Sequence, residues 1–143
     1  MPSRIAFDTN LLVYADGGGV SAEDVIKQFQ VFGLIENSIK AGLELFVPAQ
    51  VLVELYDVLL RKRKLSREQA KACIENWRLD MMVAQTSDAV LDNALLLATR
   101  HTLRIFDAVI LAAAAEARCD ILYTEDLQHG FVWRGVEVVN PFL

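Results

Sequence analysis

Short apolar, β-prone stretches alternate along this chain with longer stretches of helical periodicity, and that alternation limits the fold more than any other feature. Residues 4–7, 43–47, 81–85, 120–123 and 136–139 read as strands. Between the first two, residues 10–15 suggest a helical turn closed by Gly17-Gly18-Gly19. Ser21 then caps a helix carrying Val25, Phe29, Phe32, Ile35 and Ile39 that ends near Gly42. Pro48 suits the first turn of a helix running through Arg61 to Lys64, and Ser66 with Gln69 forms a capping-box signature opening another helix to Leu79. Ser87 precedes a Leu-rich helix to His101, and Asp107 begins an alanine-rich helix to Arg118. Strands separated by helices need crossover connections, which predicts an α/β fold: a three-layer α/β/α sandwich with a mostly parallel central sheet. No linker, repeat or low-complexity tract divides the chain, so residues 1–143 are expected to form one domain.

Composition narrows the function classes. A net charge of −5 argues against a basic nucleic-acid coat protein and against a polybasic membrane-surface protein. Hydrophobic residues at 54% exclude a disordered chain, yet no apolar run approaches the roughly 18 residues of a membrane span. Cys73 and Cys119 make neither a disulfide framework nor a zinc site, which fits the cytoplasm; both are expected to be small apolar fillers in helices. The high apolar fraction predicts a surface covered by a partner, either in a homodimer or against a second protein, with the helix of residues 21–42 supplying it.

Acidic residues then stand out by position. Asp8 closes the first strand, Asp126 lies just past the fourth, and Asp107 sits in a helix first turn; in a parallel sheet these converge at the carboxyl edge, where ligands bind. Glu54 falls within the arc of Val51, Leu55 and Val58, the face that should turn inward, where an unpaired ionised carboxylate is disfavoured. Each acid has a plainer explanation: Asp8 as a helix cap, Asp107 as a partner of the helix dipole, Asp126 as a turn former, Glu54 as a side chain that reaches solvent or pairs with Arg61 or a neighbour. Coincidence of all of them at one edge favours a site. Clustered carboxylates repel unless a cation holds them, and an all-oxygen donor set selects Mg²⁺ or Mn²⁺ over zinc. One or two such ions suit phosphoester cleavage.

These residues, in this order, resemble the motifs of PIN-domain nucleases: Asp8-Thr9-Asn10 after the first strand, Glu54 in the helix after Pro48, Phe106-Asp107-Ala108, and Thr124-Glu125-Asp126-Leu127. The ending from Gly135 to Phe142 is similar to that of the VapC toxin branch. The resemblance covers essentially the whole chain and implies a metal-dependent endoribonuclease, usually a homodimer, inhibited by a cognate VapB-type antitoxin. It implies catalytic and metal-binding roles for Asp8, Glu54, Asp107 and Asp126, with Asp8 and Asp107 as direct ligands. Thr9 and Thr124 would support the site, Asn10 would orient Asp8, and Glu125 is an alternative to Asp126. Phe106 stands where a tryptophan often precedes this Asp.

Two divalent ions would take the formal balance from −5 to −1, which eases approach of an RNA backbone. Arg100 and Arg104, just ahead of Asp107, are candidate phosphate contacts, whereas the basic run of Arg61, Lys62, Arg63, Lys64 and Arg67 reads as a solvated helix end. His101 and His129, the only histidines, have nothing to bring them together, so attack on phosphorus is expected from metal-activated water, leaving 5′-phosphate and 3′-hydroxyl ends. The alternatives are an RNA-binding module without nuclease activity and a Mg²⁺-dependent phosphoacceptor domain with Asp88 as acceptor; the latter lacks the late lysine it needs, because none follows Lys71.

Overall fold

The computed structural model describes residues 2–17 and 21–143. Local chemistry sets most element boundaries. Asp8 caps α1 (Thr9–Ala15), which follows β1 (Arg4–Phe7) directly. Ser21 caps α2 (Ala22–Lys40) through Asp24 N–H, and β2 (Glu44–Pro48) runs straight into α3 (Ala49–Arg61). Ser66 and Gln69 complete the expected capping box at α4 (Arg67–Asp80), which leads to β3 (Met82–Ala84). Ser87 caps α5 (Asp88–His101), and α6 (Ile105–Glu116) follows after Thr102, a left-handed residue at φ 56° that turns the chain sharply. The chain ends with β4 (Ile121–Tyr123), β5 (Val132–Trp133) and β6 (Val136–Val139).

Several boundaries differ from the sequence expectation. Pro48 ends β2 in an extended conformation instead of lying in the first turn of α3, since its fixed φ serves either place. Lys64 takes a left-handed φ of 57°, so α3 stops at Arg61. α6 begins at Ile105, which moves Asp107 from the start to the third position; a carboxylate is favourable near the helix dipole there as well. Cys119 is buried in the connection after α6 rather than in a helix, and β5 is too short for alternation to reveal. Gly17 has a positive φ of 75°, while Gly18 and Gly19 of the expected break lie outside the described residues.

The sheet has the order β3-β2-β1-β4-β6-β5, parallel throughout except for β5 against β6. From β1 the chain steps outward to β2 and β3, then returns across to β4. Right-handed crossovers therefore put α1 to α4 against one face and α5 with α6 against the other. α6 is buried from Ala108 to Ala114, and its alanines (Ala108, Ala112, Ala113, Ala114) let it lie close to the strands. Among the described residues no helix is long and apolar enough to cross a membrane.

The central strand β4 depends on Leu122, which is fully buried. Leu122→Ala should lower stability by about 2–5 kcal/mol in urea unfolding. Leu79→Ala, on a side chain 84% exposed, should stay within about 0.5 kcal/mol of the parent.

Candidate functional site

The reversal of direction at β1 opens a crevice beyond the carboxyl ends of β1 and β4. Asp8 lies at its floor, only 3% exposed, with its N–H donating to Tyr123 O at 3.0 Å. Its carboxylate accepts from Thr9 N–H (2.6 Å) and from the Thr124 hydroxyl (2.7 Å). Thr124 Oγ1 in turn accepts from Asp126 N–H at 3.1 Å, so one hydroxyl fixes both acids relative to β4. The Asn10 amide donates to Asp126 Oδ2 at 2.8 Å. Asn10 thus orients Asp126 and not Asp8, whose two oxygens are already engaged by Thr9 and Thr124.

Glu54 stands in the second turn of α3, half-buried, and Asp107 is half-buried in the first turn of α6. Their fields reach one another. Burial holds the Asp8 carboxyl up at about 6, against the hydrogen bonds from Thr124 and Thr9, and the Asp107 and Asp126 charges push it further up. Burial raises Glu54 as well, opposed by a bond from Gln50, with Asp107 and Asp126 adding to the rise and Arg104 countering it. Asp107 is raised by burial and by Asp126, and lowered by Arg104. The structure therefore brings Asp8, Glu54, Asp107 and Asp126 to one edge. Among the described residues no three His, Cys, Asp or Glu side chains are drawn in closely enough to grip an ion. Buried oxygen donors are nevertheless left without partners there: Glu54 Oε2, Asn10 Oδ1 and Thr9 Oγ1. Unpartnered buried oxygens of this kind suit a hard cation.

The neighbouring acids Glu125 and Asp126 separate. Glu125 accepts from the Tyr14 hydroxyl and pairs with Lys27 Nζ at 2.9 Å, and Lys27 lies 5.0 Å from the centroids of both the Tyr14 and Phe142 rings. Its carboxylate is thereby occupied, leaving Asp126 to face Asn10. Sequence reasoning missed this clamp because its members come from α1, α2, the loop after β4 and the carboxyl-terminal tail.

Two cavities meet at Glu54 and Val58. One, of about 290 Å³, is bordered by Thr9, Asn10, Glu54, Lys62, Arg63 and Asp126. The other, of about 530 Å³, reaches Arg61, Arg104 and Phe106. Lys62 and Arg63, read as part of a solvated helix end, instead border the acids. The chain folds back after Arg61, and Arg63 donates to Val13 O at 3.0 Å. Arg104 is at the site, while Arg100 borders neither cavity. His101 packs edge-on to Phe131 and His129 Nδ1 accepts from Asn140 N–H, so neither joins the acids. Asp88 opens α5 after the outermost strand β3, two strands from β1.

Residues 5–130 match the family model described as PIN domain. Among solved structures, the chain resembles VapBC2 from Rickettsia felis bound to a promoter DNA fragment, at 16% identity and a TM-score of 0.69 over 94% of this chain and 96% of that one. It also resembles a toxin–antitoxin complex from Klebsiella pneumoniae, at 17% identity and a TM-score of 0.65 over 96% and 97% of the two chains. A further likeness is to Mycobacterium tuberculosis VapC20, a sarcin–ricin loop cleaving toxin, at 16% identity and a TM-score of 0.60 over 82% and 86%. At these identities the likeness is one of fold. No curated protein matches the chain in sequence.

Asp8 titrates near 6 in the folded chain and near 4 when unfolded, so between those pH values the folded form holds the extra proton. Its contribution to stability therefore falls as pH rises from about 4 to about 6, then levels off. In metal-free buffer Asp8→Asn should match the parent near pH 4 and exceed it at neutral pH by of order 1–3 kcal/mol. Urea unfolding of both proteins across that range checks this, and a parent that gains on the variant as pH rises contradicts it.

Proposed function

The chain belongs to the PIN-domain family, and on that premise we propose that it is a metal-dependent endoribonuclease, the toxin of a VapBC-type pair, with residues 1–143 forming the nuclease unit. The observation that carries this reading is the convergence of Asp8, Glu54, Asp107 and Asp126 on one crevice that also holds partnerless buried oxygens. Toxin–antitoxin complexes of the same fold, and a toxin of that fold described as cleaving the sarcin–ricin loop, support it.

The donor chemistry fits Mg²⁺ or Mn²⁺: carboxylates, a threonine hydroxyl and an amide oxygen, with no thiolate or imidazole among them. Asp8 and Asp107 would hold the ion or ions, and Glu54, Asp126 and Thr9 Oγ1 would complete the donor set. When bound, such an ion supplies water of lowered pKa and offsets charge building up at phosphorus. Asp8 is held rigid by Thr9 and Thr124, so its oxygens keep one orientation. Glu54 Oε2, free of other partners, orients the attacking water, and Asn10 keeps Asp126 turned inward. With both histidines engaged elsewhere, no imidazole serves as base.

The partner surface follows from α2, which exposes Ile26 (59%), Phe29 (71%) and Phe32 (46%). Side chains of that size on one helix suit a covering protein, here a VapB-type antitoxin or a second copy of the chain in a homodimer. The pair would act in the cytoplasm.

Glu54→Gln and Asp107→Asn should each lower RNA cleavage at least ~10²-fold with an unchanged circular dichroism spectrum. Thorough chelation should abolish cleavage by the parent, Mn²⁺ or Mg²⁺ should restore it, and the products should carry 5′-phosphates. Full activity of Glu54→Gln, or cleavage that survives chelation, would falsify the proposal.

A further inference from the structure

We infer that the cavity between α3 and the start of α6 is a nucleotide subsite, which receives the base on Phe106 and the adjoining phosphate on Arg104. The inference rests on the RNA-cleaving reading above and extends it to where the substrate lies beside the acids.

The cavity measures about 530 Å³, within the usual range of small-molecule sites, and Glu54 is common to it and to the acid cavity. Its wall carries Phe106, 49% exposed, and Val53, 65% exposed. An uncovered aromatic ring at the rim of a charged crevice offers a stacking surface that suits any base. Arg61 is tied to Asp57 at 2.7 Å, whereas Arg104 makes no ion pair among the described residues. Its position also runs against local preference. Arg104 occupies the N-cap of α6, where the helix dipole disfavours a cation, and its side chain makes no capping bond. Two residues placed against their own tendencies, one exposed and apolar and one cationic at a helix start, share a cavity with a catalytic acid. A nucleotide satisfies both, because it presents a π face and a phosphate together.

The test reads binding of a short fluorescein-labelled single-stranded RNA by anisotropy in Mg²⁺, in an Asp8→Asn background that keeps the fold and stops cleavage. Phe106→Ala should weaken binding about tenfold, and Phe106→Trp should restore it. Arg104→Met should weaken it and reduce the slope of log Kd against log salt by about 0.7, one phosphate contact. Arg118→Met, just beyond the far end of α6, should change neither. In the otherwise native chain Phe106→Ala should raise KM about tenfold, with kcat and Mn²⁺ affinity within about twofold. Unchanged RNA binding in both variants overturns the subsite, as does loss of Mn²⁺ affinity alongside it, which would make these residues supports of the acids. Loss of a co-expressed antitoxin with RNA binding intact assigns the cavity to a protein partner instead. A parent that neither binds nor cleaves RNA defeats the nuclease reading itself, whereas a cleaving parent with indifferent variants defeats the subsite alone.

Discussion

Burial of carboxyl groups at the mouth of the sheet, to which their mutual repulsion adds, is the constraint around which the rest of this molecule is arranged. Asp8 is the extreme case: taking an ionised carboxyl out of water is costly, and its hydrogen bonds from Thr9 and Thr124 offset only part of that cost. The fold tolerates it because the apolar strands and the closely seated α6 supply a large core immediately below. Stability is given up just past the paired carboxyl ends of β1 and β4, where the buried acid and the partnerless oxygens lie together.

The architecture was readable from the sequence because each crossover is encoded locally. Ser21, Ser66 and Ser87 cap the helices they were expected to cap, and every parallel strand lies within a residue or two of its expected place. The acids were readable for a similar reason: Asp8 and Asp126 follow strands, and Glu54 interrupts an otherwise apolar face. What escaped was side-chain partnership across the fold. Asn10 lies two residues from Asp8 in sequence yet its amide donates to Asp126, while the Asp8 oxygens are met by Thr9 and Thr124. Lys62 and Arg63 leave α3 and turn back, a direction no helical wheel contains.

Glu125 and Asp126 show how little separates a structural acid from a candidate functional one. They are adjacent and chemically alike, but one side chain reaches toward Tyr14 and Lys27 and the other toward Asn10. Asp126, though exposed, is held by Thr124 through its N–H and by the Asn10 amide through its carboxylate. Lys27 is largely shielded from water, with the Tyr14 and Phe142 ring centroids at 5.0 Å and its Glu125 carboxylate partner at 2.9 Å.

The margins of the sheet carry a consequence for assembly. On one side β3 contributes only three residues, and on the other β5 contributes two, running against its neighbour, with the turn beyond tethered to α5 through Arg134 and Asn93. Neither border offers enough unpaired backbone to template another strand. The ribbon of strands is thereby immune to edge-on stacking, and assembly falls to surfaces such as the exposed apolar side chains of α2.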